Sequence, residues 1–383
     1  MQTISIKDRD FGADIIRIFA LLMVFTVHVF LRDGFYFRHA DGFWGFLAVS
    51  IRSFSMCCVP LFMILTGYLK CNKRWDTGYY RSLLPILASY IIISLIHLLY
   101  KLFVLRMTLT ASEWLLQFMG FKLADYSWYV GMYIGLFLIS PLLNLIWSGC
   151  SSRKMHAAVV LTMLSLTALP SMVNGFTNSG VNILPAYFTQ IYYVTYYFLG
   201  CYFRTYRPGR LSGNRAICAV CAVSISVLNG IANVLTRQES DNFYSGYSAG
   251  YSELTVVLLS CSVFLALSGA KTERIRTKKL IAFISGISFE AYLLSYLFDS
   301  NIYPLITKAA DRTLYFPVGM MMVSVVFIFS LAAAFPVNRL SRLLSGALLK
   351  KRAPAAAFSK CSRSSARPSC SRALSFPRHR SLR

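Results

Sequence analysis

Charge is scarce in this chain, and acidic charge scarcer still: only 14% of its 383 residues are charged, and Asp and Glu together number 15. Soluble globular domains usually carry about 25% charged residues, and no stretch here is both long and polar enough to form a separate soluble domain. Histidine is sparse, with 5 residues in the whole sequence. No small-residue cleavage site follows the first apolar run, so the Met1–Gly12 segment with Lys7, Asp8, Arg9 and Asp10 reads as the flank of an uncleaved first span. The 10 cysteines fall in apolar stretches or on the side expected to be reducing, which argues against a structural disulfide framework. Cys218 and Cys221 form a C-x-x-C, but on an apolar helix with no second pair nearby, so ordinary packing is favoured over metal or redox use.

What fills the sequence is apolar: 56% of residues are hydrophobic and the mean hydropathy is +0.55. A bilayer core asks for roughly 20 mainly apolar residues per helix, and such stretches recur near Asp14–Leu31, Trp44–Leu69, Leu83–Tyr100, Trp128–Trp147, His156–Met172, Tyr187–Phe203, Ala216–Leu235, Leu254–Gly269, Leu280–Phe298 and Phe316–Phe335. The expected fold is all-α: a polytopic membrane helix bundle of about ten transmembrane helices.

The formal charge of +24 would suggest nucleic acid in a soluble protein, but its distribution follows a membrane topology. With the N-terminus inside, the inner segments before the tail hold 17 Lys and Arg against 8 in the outer loops, so the positive-inside bias puts both termini in the cytoplasm of a cell-membrane protein. Residues 1–349 read as the transmembrane domain. Residues 350–383 hold 10 basic and no acidic side chains among Ser, Pro and Ala; they read as a disordered tail with membrane lipids as its natural contact. All five tryptophans, Trp44, Trp75, Trp114, Trp128 and Trp147, lie at or just beyond span ends, where amphipathic rings prefer to sit. Thr110 to Glu113 reads as a capping box, opening either a short surface helix or a plain connecting loop. Phe243, Tyr244, Tyr247 and Tyr251 line a polar outer loop that either stacks on sugar or is simply solvated.

Ionisable side chains inside a span mark function by default, and Arg17, His28, Arg52 and Glu290 stand out. An 11-residue step on a helix returns to within about 20° and rises roughly 16 Å, so Arg17 and His28 share a face at different depths. Asp14 is placed to pair with Arg17. His28 suits proton removal from a hydroxyl near neutral pH, or else is a hydrogen-bonded interfacial histidine. Arg52, about 12 Å into its span, reads as a holder of an oxyanion or carboxylate. Glu290 is either that carboxylate, the residue that orients His28, or half of a structural ion pair with Arg52.

These residues resemble those of the integral-membrane acyltransferase-3 family. D-I-I-R-I-F-A-L-L-M-V-F-T-V-H from Asp14 to His28 carries an Arg-x10-His arrangement like the family's. V-P-L-F-M-I-L-T-G-Y-L from Val59 to Leu69 is similar to the family's F-x-x-S-G-Y-L, with Thr66 for Ser. R-S-L-L-P from Arg81 to Pro85 resembles the basic entry to the third span, with Gly78 where relatives often carry a first Arg. W-Y-V-G-M-Y-I-G-L-F-L-I-S-P-L-L from Trp128 to Leu143 is similar to another family stretch, though many relatives have a histidine shortly before the Trp, where this chain has Tyr126 and Ser127. S-F-E-A-Y-L-L-S from Ser288 to Ser295 resembles S-F-x-x-Y-L-x-H, with Ser295 for His. The resemblance implies catalytic roles for His28 and Arg17, joined by Glu290 from the residue reading, and its motifs bring Arg81, Trp128 and Tyr129 into substrate binding beside Arg52, which comes from the residue reading. It further implies an acyl-CoA co-substrate, with acetyl as the expected group, a glycan or other envelope hydroxyl as acceptor, no tightly bound cofactor and no metal. A flippase for a lipid-linked glycan and a non-turnover acyl-ligand sensor are the alternatives.

Overall fold

A computed structural model describes residues 9–37, 42–73, 76–177, 184–206, 214–235, 250–309 and 315–351. Among them there is no strand; the helices are Phe11–Arg32 (α1), Gly42–Ser55 (α2), Cys58–Lys70 (α3), Thr77–Arg81 (α4), Leu84–Phe103 (α5), Ala111–Met119 (α6), Trp128–Gly149 (α7), Arg153–Thr177 (α8), Tyr192–Thr205 (α9), Arg215–Leu235 (α10), Leu254–Ser268 (α11), Ile275–Gly286 (α12), Ser288–Ala309 (α13) and Tyr315–Lys351 (α14). The tail beyond Lys351, Arg74, Trp75 and the outer-loop aromatics Phe243, Tyr244 and Tyr247 lie outside the described residues.

The chain is built around α1. Asp10 caps it by accepting the Ala13 N–H, Asp14 sits in its first turn and Arg32 in its last, so both ends suit the helix dipole. Its apolar face of Ile16, Ala20, Leu21, Val24, Phe25 and Val29 is buried against α3, α11, α12, α13 and α14. Of its most apolar window 61% is buried, against 28% for α8 and for α14, which places α1 inside and those two at the periphery. The polar hydroxyls of this interior are absorbed locally: Ser55, Thr66, Ser140, Thr167 and Ser260 each donate to the carbonyl four residues earlier.

Glycine fixes the seam between α3 and α9. A methyl group at Gly67 would strike the Tyr197 carbonyl, and one at Gly200 would strike the Ile64 carbonyl. Without lipid-excluding hydrophobicity to drive helices together in a bilayer, such close backbone approach is the main source of packing. Gly67→Val or Gly200→Val is therefore expected to lower stability by about 3 kcal/mol or more, read as loss of the monodisperse peak in detergent gel filtration, while Gly149→Ala, with open space around it, elutes as the parent.

Seven helices among the described residues are long and apolar enough to cross a membrane, and the bent pair α12 and α13 makes up to an eighth. Three of the ten expected spans differ in kind. Tyr187–Phe203 becomes a 3-10 turn, Ala186–Ile191, followed by the 14-residue α9, and Leu254–Gly269 becomes the 15-residue α11. Leu280–Phe298 is broken at Ile287, where α12 and α13 meet at 61°; Gly286 and Ser288 flank the break, a pairing common at sharp kinks that an apolar-run criterion passes over. The expected second span is also two helices, α2 and α3, joined at Met56 and Cys57. The last span does not stop at Phe335: α14 runs through Pro336 to Lys351. Of the tryptophans, Trp147 is buried, donating to Thr205 Oγ1 and packing on His156, so it serves the interior rather than an interface. The capping box at Thr110 and Glu113 is formed, and it opens α6, which buries none of its residues. The Thr110 N–H and hydroxyl hold the Glu113 carboxyl below the usual carboxylate range.

Candidate active site

A cavity of about 1080 Å³ opens at the Arg17 end of the bundle, between α1, α3, α5, α7, α13 and α14. Four cations line it: Arg9, Arg17, Lys70 and Arg342. Asp14 arranges two of them. It takes a bidentate pair from Arg9 (2.5 and 2.8 Å) and a further bond from Arg17 Nη1 at 3.1 Å. Ser285, the penultimate residue of α12, closes this network by accepting from Arg17 at 2.6 Å and donating to Asp14 at 2.7 Å. Lys70 ends α3; its ammonium donates to Tyr133 at 3.0 Å and rests 3.9 Å from the Phe137 ring centre. The turn carrying it is pinned by Asn144, which donates to the Lys70 and Lys73 carbonyls. Deeper, the lining becomes Val24, Val59, Phe62, Leu65, Tyr129 and Tyr292. A cationic mouth above an apolar shaft suits a ligand with an anionic head and an uncharged arm.

His28 lies beyond that shaft, buried near the other end of α1. Its Nδ1 is 3.2 Å from Oδ2 of Asp299, a contact close enough for an ion pair but not aligned as a hydrogen bond. Tyr126 organises both. Its ring stacks on the imidazole with centroids 3.7 Å apart, and its hydroxyl donates to Asp299 Oδ2 at 2.6 Å. Tyr126 is itself held by the Tyr292 hydroxyl on its carbonyl at 2.5 Å, and the turn before α7 by Ser127 on the Phe121 and Ala124 carbonyls. With Nδ1 turned to a carboxylate, Nε2 is the nitrogen that can exchange a proton with a substrate. Around this pair stand Arg32, over the Tyr296 ring, and the Lys101–Asp125 ion pair at 3.3 Å.

The expected site residues thus divide. Arg17, Glu290 and Tyr129 line the cavity; His28 does not, and sits in the Asp299 pocket past it. Glu290 neither orients His28 nor pairs with Arg52: its Oε1 accepts from Ser89 at 2.7 Å and Asn338 at 2.9 Å. The break at Ile287 explains this, because it puts Glu290 in the first turn of α13, at the Arg17 end, and Asp299 midway along the same helix. Arg52 is buried away from the cavity lining and donates to Tyr36 at 3.2 Å among its partners. Arg81 and Trp128 are exposed and line no part of the cavity; Trp128 stacks toward Tyr251. Arg9, Lys70, Arg342, Tyr126 and Asp299 were hidden from a reading by span centres, since each falls at a span end. Matching depths would have shown Asp299, an acid just past the end of its expected span, opposite a histidine near the end of the first.

An apolar helix bundle with an anion-suited inner cavity and a buried His–Asp pair farther along the same central helix defines a membrane-type group-transfer protein. A family model described as an acyltransferase domain matches residues 10–338, and the chain belongs to that acyltransferase-3 family. No curated protein and no solved structure matches the chain. The chain is thus a membrane acyltransferase by family.

Proposed function

We propose that the protein moves an acyl group, most simply acetyl, from an acyl-coenzyme A on the cytoplasmic side of the cell membrane to a hydroxyl of an envelope glycan on the outer side, with both termini cytoplasmic. The observation that carries this reading is the cavity: Arg9, Arg17, Lys70 and Arg342 at its mouth suit the donor's phosphates, and its apolar depth suits an uncharged thioester arm. The described beginning of α1 and the end of α14 meet at that mouth, which agrees with the charge bias of the loops.

In the reaction, Nε2 of His28 accepts the proton of the acceptor hydroxyl as its oxygen attacks the thioester carbonyl. The C–S bond breaks, the proton passes to the leaving thiolate, and the products are the ester and free coenzyme A. The same residues serve an acyl-imidazole route, in which Nε2 attacks first and the hydroxyl second. In both, Asp299 stabilises the imidazolium that forms, and Tyr126 keeps the carboxylate in place.

Vesicles of one known orientation test it. With labelled acetyl-CoA supplied only to the Arg17 face and an envelope-glycan extract to the other, label is expected to reach the glycan at a rate at least about 100-fold above that with protein-free vesicles, the low end for a positioned acid-base catalyst. Label transferred only when the acetyl-CoA is on the His28 face would sink the orientation. No transfer in either arrangement would sink the reaction.

A further inference from the structure

The cavity holds one carboxylate that the transfer chemistry leaves without a task. Glu290 lines the wall just inside the cationic mouth, with only 4% of the residue exposed. Ser89 of α5 and Asn338 of α14 both donate to Oε1, so the side chain is fixed from two sides. Oε2 is buried and has no hydrogen-bond donor. A carboxylate oxygen in such a setting is costly unless a donor reaches it. The first turn of α13 supplies part of the compensation through the helix dipole, but the dipole points no N–H at that atom.

The position along the cavity is informative. Ser285, which bonds Arg17, is five residues before Glu290, and Tyr292, on the apolar shaft, is two residues after it. A ligand filling the cavity therefore meets cations first, then one fixed hydrogen-bond acceptor, then an apolar passage. We infer that Glu290, braced by Ser89 and Asn338, accepts an amide N–H from the middle of the donor's pantetheine arm and so sets the register of the thioester in the cavity. An acyl phosphate has no such arm, and an acylated lipid offers no N–H at that depth. This rests on the reading of the cavity as the donor site, and it replaces the catalytic role that the sequence alone gave to Glu290 with a positioning and specificity role.

The test alters the ligand as well as the protein. Binding of acetyl-CoA to the detergent-purified full chain is measured by titration calorimetry, beside two analogues in which one or the other pantetheine amide is replaced by an ester. Wild type is expected to bind one analogue at least about tenfold more weakly, the size of one charge-assisted hydrogen bond, and the other analogue about as well as acetyl-CoA. In Glu290→Met that penalty should fall below about threefold, and in Glu290→Gln, which keeps the shape and a neutral acceptor, it should lie between. If wild type binds acetyl-CoA but neither analogue is weakened, or the penalty persists unchanged in the variants, Glu290 is only a braced helix-end carboxylate and the inference is overturned. If wild type fails to bind acetyl-CoA at all, the donor reading falls with it. The wild-type comparison decides even where a variant does not fold.

Discussion

Replacing His28 with alanine is expected to remove acyl transfer, with a loss of about 10²- to 10⁴-fold in turnover if general-base action is its whole contribution and more if the imidazole carries the acyl group. His28 is buried, and among the described residues its Nδ1 takes no hydrogen bond and lies 3.2 Å from Asp299 Oδ2. The substitution should therefore leave insertion, yield and gel-filtration profile near those of the parent. It should also leave acetyl-CoA affinity nearly unchanged, because His28 is not part of the cavity lining. Turnover within a few fold of wild type in a correctly inserted protein would remove the imidazole from the chemistry.

Asp299→Asn is the second large effect, on the order of 10- to 10³-fold in turnover with little change in donor affinity. The amide keeps the shape and can still receive the Tyr126 hydroxyl, but it cannot stabilise an imidazolium. Tyr126→Phe, which removes that hydroxyl and keeps the ring stacked on His28, should lose much less. The comparison discriminates between a carboxylate that acts on the imidazole and one that merely fills a hole: in the latter case both variants would be lowered alike, or neither would.

How much was legible depended on what each residue's signal was. The apolar spans read directly, and α1, α5, α7, α8 and α10 lie where composition put them. The shared face of Arg17 and His28 also follows from helix geometry, and both turn toward the α12–α13 side, Arg17 to Ser285 and His28 to Asp299. Two things escaped. The bend at Ile287 is marked only by Gly286 and Ser288 beside it, and without it Glu290 and Asp299 cannot be sorted between the cavity and the imidazole pocket. The continuation of α14 past Pro336 carries Asn338 and Arg342 into the cavity; a rule that ends a span at a proline assigns them to the cytoplasm. Arg52 shows the opposite error, since a charge at depth was read as a holder of an oxyanion or carboxylate, whereas it donates to Tyr36 and lines no part of the cavity. The departures from the family pattern were better guides than the matches. Tyr126, in the stretch where many relatives keep a histidine, is the ring that lies on His28, and Ser295, at another such position, is a buried hydroxyl closed on the Tyr292 carbonyl.

The rings that separate cavity from imidazole have a consequence for the cell's energy supply. Tyr129 packs edge-on to Tyr292, and Tyr292 lies against Tyr126, which covers His28. A conduit wide enough for a thioester, left open between two aqueous phases, would also pass protons and dissipate the membrane potential, worth about 2.3 kcal/mol per charge per 100 mV. With Tyr129 edge-on to Tyr292 and Tyr292 against Tyr126, these rings fill the interval between cavity and imidazole, and on the proposed cross-membrane reading they keep such a conduit shut to protons.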